Sequence, residues 1–228
     1  KTKTKTKTKT KTKTKTKMKT KMKTKILLSM IMITVAFTSC DTGTVTPPDP
    51  VITETITELD AQATITMGQF GPIYSGDYTK FSFAEGGIVD GDNWDVAFRS
   101  THIIVNGGMV SDTSQPNRTG NAAVYITVGE MGDIISVDSS LLMQDTETSS
   151  AIIDDLGVSP NGGPGVWCTY SNQLIIPNAG GILVFRTHDN KYAKIEILNF
   201  YDQAMSNIYG GFYTFNYVYQ PNENTLNF

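Results

Sequence analysis

From about residue 53 onward, apolar side chains do not recur at helical spacing. They come in short runs rich in Val, Ile, Thr, Phe and Tyr, broken by Gly, Asn and Asp, a pattern that predicts an all-β domain. Strands are expected over 61–67, 79–83, 94–98, 102–105, 122–128, 166–170, 181–186, 193–200 and 212–219. In the last of these, Tyr213, Phe215, Tyr217 and Tyr219 fall at every second position, so one face should be core. Asn106-Gly-Gly108 and Asp189-Asn190 lie between apolar runs where the chain must accept positive φ, and both read as hairpin signals. Helical periodicity is weak throughout; 149–155 and 202–208 are expected to make a turn or two. No repeat at solenoid or propeller periods is present.

The first 52 residues follow other rules. Residues 1–17 are Lys-Thr repeats with nothing to bury, and 1–21 is read as a low-complexity extension ahead of a start at Met18 or Met22. Residues 22–39 then carry a basic flank, an apolar run of about a dozen residues and small residues ending at Cys40, the layout of a lipoprotein signal peptide. Lipid on Cys40 would anchor the mature chain to a bacterial envelope membrane without spanning it, since the apolar run is too short for a crossing helix. Residues 40–52, rich in Thr, Pro, Gly and Asp, read as a tether, and 53–228 as one domain, long enough for a core of its own.

Removing the leader changes the charge balance. Thirteen of the 19 Lys+Arg lie in residues 1–25, whereas all 22 Asp+Glu follow Cys40. Six cations against 22 carboxylates leave the mature chain at −16, so phosphate backbones and anionic lipid surfaces would repel it and nucleic-acid binding is not expected. With Cys40 lipidated, Cys168 has no partner for an intramolecular disulfide. Stability must come from burial.

Recognisable catalytic constellations are absent: no nucleophile elbow, Walker loop, dinucleotide fingerprint or His-Glu-x-x-His, and an enzyme is not expected. His188, beside a hairpin signal, reads as solvated, and His102, at a strand start, as half-buried. Asp90-Gly-Asp92-Asn-Trp-Asp95 opens like a calcium loop, but Asp95 stands where glycine is needed and Thr101 where a bidentate Glu is needed; an acidic turn before a strand is expected. Asp154 and Asp155 are adjacent and read as solvated surface. Met109, Met131 and Met143 lie in polar or turn-rich segments. Each is either an adaptable filler or a soft thioether ligand suited to porphyrin iron or copper(I).

Asn93-Trp-Asp-Val-Ala-Phe98, Val105-Asn-Gly-Gly108, Gly120-Asn-Ala-Ala-Val-Tyr125, Gly165-Val-Trp167, Ile182-Leu-Val-Phe-Arg186 and Gly211-Phe-Tyr-Thr-Phe-Asn-Tyr-Val-Tyr219, in that order, resemble the HmuY family of heme-binding surface lipoproteins. The resemblance implies a single hand-like antiparallel β domain holding one heme between loops. It also implies a role in heme and iron acquisition at the bacterial outer membrane, on the cell surface, for an outer-membrane heme receptor. The best-known member grips iron with two histidines, and here Asn172 stands where one of them would be, with Tyr170 nearby. In the opposing loop Met143 is the iron ligand the resemblance suggests, as methionine serves in some relatives. Two readings stay open: a membrane-anchored heme carrier with a pocket at Met143, Tyr170 and Asn172, or a surface module of the same fold that has lost heme and binds a protein, a glycan or another small ligand.

Overall fold

The computed structural model describes residues 47–69, 71–152 and 167–228, all within one compact unit, Thr46–Phe228. The expected signal segment, Cys40 and Asp154-Asp155 lie outside the described residues. The described residues include thirteen strands: β1 (Ile52–Asp60), β2 (Thr64–Gly68), β3 (Gly71–Ser75), β4 (Thr79–Ser82), β5 (Gly87–Ile88), β6 (Val96–Arg99), β7 (His102–Val105), β8 (Ala123–Val128), β9 (Cys168–Ser171), β10 (Leu174–Pro177), β11 (Gly181–Arg186), β12 (Tyr192–Asn199) and β13 (Phe212–Gln220). A single 3-10 turn, Met131–Asp133, is the one helical element among the described residues. The domain is all-β, as the period-2 patterning predicts.

A five-stranded sheet in the order β1-β13-β12-β11-β8 is antiparallel throughout, and a four-stranded sheet has the order β5-β4-β6-β7. Two hairpins, β2-β3 and β9-β10, complete the set. The alternation in β13 sends Tyr213, Phe215, Tyr217 and Tyr219 inward. They meet aromatic side chains of the other sheet, Phe215 edge-on to Phe81 at 5.4 Å and near-parallel to Phe98 at 5.9 Å. Phe83 joins Phe185 and Tyr217 in the same core. Truncating one such ring to alanine would cost about 3–5 kcal/mol. The opposite face of the five-stranded sheet carries a smaller cluster of Tyr125, Val137, Ile182 and Val184. Lys194 is buried there, donating to the Met131 and Ile134 carbonyls at 2.9 and 2.7 Å.

Several expectations change. β1 is an additional strand inside what reads as tether and domain start. Its alternation breaks at a bulge between Ile56 and Leu59, where Glu58 adopts φ 52°. Asp189-Asn190 does turn β11 into β12, with Asn190 at φ 69°. Asn106-Gly-Gly108 turns no hairpin. Its glycines let three stretches of backbone meet: a Cβ on Gly107 would run into the Ala122 carbonyl, and one on Gly108 into the Asp145 carbonyl. Residues 202–208 form turns capped by the Asp202 side chain, which accepts from the Ser206 amide at 2.9 Å, and no helix. Residues 149–152 are likewise non-helical.

Candidate functional site

Met143 is carried on a short strip, residues 141–145, laid along the outer edge of β8. The strip is attached by a reciprocal pair of hydrogen bonds: the Val124 amide donates to the Met143 carbonyl at 2.8 Å, and the Met143 amide donates back at 3.0 Å. The strip therefore blunts the sheet edge, which would otherwise present unpaired amides. Leu142 packs into the smaller cluster with Tyr125, while the Met143 side chain is 56% exposed. Gln144 Nε2 reaches the Ala122 carbonyl at 3.1 Å. A thioether is thus presented to solvent from a backbone that is itself fixed.

Asp145 closes the strip from inside the protein. Arg118 Nη2 lies 2.9 Å from its Oδ2, and both side chains are almost fully buried. Oδ2 also accepts the Val105 amide at 3.1 Å, and Oδ1 the Ala151 amide at 2.9 Å. Burial pushes the Asp145 carboxyl above its ordinary range, opposed by the Ala151 amide and the Arg118 guanidinium. The Asp145 carbonyl accepts the Met109 amide at 2.9 Å. Met109, another exposed methionine, therefore joins the segment that bears Met143 through one backbone bond.

Tyr170 and Asn172 belong to the β9-β10 hairpin. Ser171 pairs with Leu174, leaving Asn172 and Gln173 as the two-residue loop, at φ 51° and 66°. This is the left-handed geometry that asparagine tolerates well. Asn172 is thus accounted for by its backbone, and its exposed amide is no match for an imidazole as an iron ligand. Tyr170 is 52% exposed. The hairpin is anchored beneath, where Tyr201 Oη accepts the Ile175 amide at 2.8 Å and Trp167 Nε1 donates to the Thr101 carbonyl at 3.0 Å. Among the described residues, no hydrogen bond joins Met143 to Tyr170 or Asn172. Residues 153–166, which connect strip and hairpin, lie outside the described ones.

His188 is not simply solvated. Its Nδ1 lies 2.7 Å from Asp95 Oδ1, which also accepts the His188 amide at 2.8 Å, and the two side chains are 21% and 1% exposed. Asp95 Oδ2 accepts the Phe83 amide at 2.8 Å. The hydrogen bond to Asp95 raises the His188 pKa above its ordinary value, against the effect of burial. Asp189 completes a close group with these two, but its oxygens are already taken by Lys191 at 2.9 Å and Thr187 at 2.7 Å. The arrangement clamps the β11-β12 turn to the segment entering β6. Sequence reading missed it because 93 residues separate the partners. His102 is partly exposed, its ring 5.1 Å from that of Tyr74. The Asp90 and Gly91 carbonyls receive the Lys80 ammonium at 3.1 and 3.3 Å; a protein cation occupies that turn, in keeping with its rejection as a calcium loop. A cleft of about 540 Å³, lined by Asp60, Asp77, Tyr78, Lys80, Asp90 and Pro116 among others, shares no residue with the strip or the β9-β10 hairpin.

With this geometry in place, a family model described as HmuY protein matches residues 74–217, more than half of the chain. The chain belongs to the HmuY family. The match takes in Met143, Tyr170 and Asn172. Among solved structures, the chain is similar to an apo HmuY analogue of Tannerella forsythia, with 13% identity over 77% of this chain and 99% of that one and a TM-score of 0.44. It is similar to a candidate HmuY-like heme-binding protein from Bacteroides vulgatus, with 14% identity, 75% and 93% coverage and a TM-score of 0.44. It is also similar to a candidate lipoprotein from Bacteroides fragilis, with 14% identity, 75% and 90% coverage and a TM-score of 0.40. No curated protein matches. Family membership rests on the family model, and the all-β architecture on the chain's own strands.

Proposed function

We propose that this HmuY-family chain is a heme carrier, held on the outer membrane through lipid on Cys40 and handing heme to an outer-membrane receptor for iron acquisition. The observation that carries the reading is Met143: a solvent-presented thioether, on a strip pinned to β8 and to a buried ion pair, inside the segment the family model covers. Met143 offers one soft donor suited to heme iron. Met143 would hold the iron, and the exposed side chains of Leu141, Tyr170 and Ile176 would offer apolar and aromatic surface to the macrocycle. Bound heme would supply the iron that the carrier exists to move. Burying that much apolar surface, at about 25 cal/mol per Å², sustains affinity even with a single protein ligand. A soft sulfur donor favours ferrous over ferric iron. Among the described residues no helix is long and apolar enough to cross a membrane.

The second reading, a module of this fold that has lost heme and takes a protein, a glycan or another small ligand, is favoured by one observation: Asn172 is a left-handed turn residue and brings no ligating group to the hairpin. Hemin titration separates the two. The carrier gives a saturable Soret shift at one equivalent, stronger under reducing conditions. Flat titrations in both redox states leave the fold unchanged and move the function to the second reading.

A further inference from the structure

We infer that Asp145 is the positioning residue of the site: together with Arg118 it pins the strip that presents Met143. The strip's own attachments are few. Leu142 packs against the smaller cluster, Met143 makes one reciprocal pair with Val124, and Gln144 Nε2 reaches the Ala122 carbonyl and Asn121 Oδ1. Asp145 ties the strip to three otherwise separate parts of the chain: Val105 at the end of β7, Ala151 beyond the strip, and Arg118 in the segment before β8. Its carbonyl adds a fourth tie, to Met109. Arg118 is itself held in place, donating to the Pro116 carbonyl at 2.7 Å and to Gln115 Oε1 at 2.9 Å, with its guanidinium 5.5 Å from the Trp94 ring centre.

Every oxygen of the Asp145 carboxylate faces donors. An asparagine in its place would turn an amide NH2 toward at least one of them, and Arg118 would be left buried without its counter-charge. The consequence falls on the strip because Met143 stands two residues away along an extended segment. An exposed side chain has no packing of its own to hold it, so the precision with which the thioether is placed comes from the backbone, which is held by the Val124 pair and, from inside the protein, by Asp145. The inference concerns the chain in its own right; its bearing on heme rests on the carrier reading above.

The test uses the full chain without ligand and then with hemin. Amide hydrogen exchange and the 13C-methyl signal of Met143 are followed in wild type, Asp145→Asn, the milder Arg118→Lys, and Tyr213→Phe. The last removes a distant buried hydrogen bond to the Ser100 carbonyl and stands in for general destabilisation. Asp145→Asn should speed exchange at Met143 and Met109 about tenfold or more and sharpen the Met143 methyl. Tyr213→Phe should leave both near wild type, and Met67, far out on β2, should not respond in any variant. If Asp145→Asn does not fold, Arg118→Lys should give the same pattern in weaker form. Unchanged exchange at Met143 in the folded variant, or equal acceleration in Tyr213→Phe, overturns the inference. Added hemin then decides the other reading separately. A wild type that ignores hemin removes the carrier but not the pin. If wild type binds, Met143→Ala should abolish the thioether signature, and adding Asp145→Asn to it should change the spectrum no further.

Discussion

Asp95 and Asp145 are two solutions to the same problem. Each is a buried carboxylate that accepts strand amides and ties distant segments together, Asp95 through Phe83 and His188, Asp145 through Val105 and Ala151. They differ in the cation. Asp145 meets the guanidinium of Arg118, and both groups are almost wholly dry. Asp95 meets His188, whose ring is partly wet and can lose its proton. One anchor is dry and costly to break; the other weakens as pH rises through the folded-state pKa of His188, which lies above the ordinary value. The dry one lies under the strip that carries Met143.

The sharpest way to break the comparison is to remove one partner of each pair. Asp145→Ala leaves Arg118 buried and uncompensated and should cost about 3–5 kcal/mol, read as a loss of unfolding free energy in denaturant. Asp95→Ala should cost less, about 1–3 kcal/mol, because the partly wet His188 ring that loses its partner can shed its charge, leaving the Phe83 and His188 amides as the buried donors without an acceptor. Similar losses at the two sites would erase the distinction.

A pH series sharpens it further. The His188 pKa lies above the ordinary 6.5 in the folded state, so the folded protein binds that proton more tightly than the unfolded chain. The resulting stability is fully present below 6.5 and fades as pH rises through the folded value. Denaturation curves from pH 5 to 9 should show that slope in wild type and lose it in His188→Gln; an unchanged slope would assign it to another group. Asn172→Ala should lose about 1 kcal/mol, since alanine resists the left-handed geometry, while Asn172→Gly should be near neutral in thermal melts. Met143→Ala should shift stability least, within about 0.5 kcal/mol, because the side chain is largely exposed.

The contrast also shows what a linear sequence can carry. Strand existence was legible from period-2 patterning, and β13 most clearly, because its buried aromatics follow one rule along the whole strand. β1 was hidden by its bulge at Glu58, and β10 by its length, four residues ending in proline. The Gly107-Gly108 pair was legible as backbone in need of freedom. That the need was close approach to Ala122 and Asp145, and not a turn, depends on segments far away in sequence. Of the candidate site, Met143 was legible as a methionine in a polar segment, whereas the absence of a histidine at 172 stood out only through the family resemblance. The left-handed turn that explains Asn172 is a property of strand register. The Arg118–Asp145 and Asp95–His188 pairs were invisible, since nothing local marks an aspartate as buried when its partner is 27 or 93 residues away.

The most direct measurement is the absorption spectrum of the ferrous hemin complex of the full chain beside that of Met143→Ala. A carrier ligated through Met143 predicts a saturable one-to-one complex in wild type whose Soret band moves in the variant, while His188→Ala leaves it in place. Identical ferrous spectra in wild type and Met143→Ala would contradict Met143 as the ligand, and no complex in wild type would contradict the carrier.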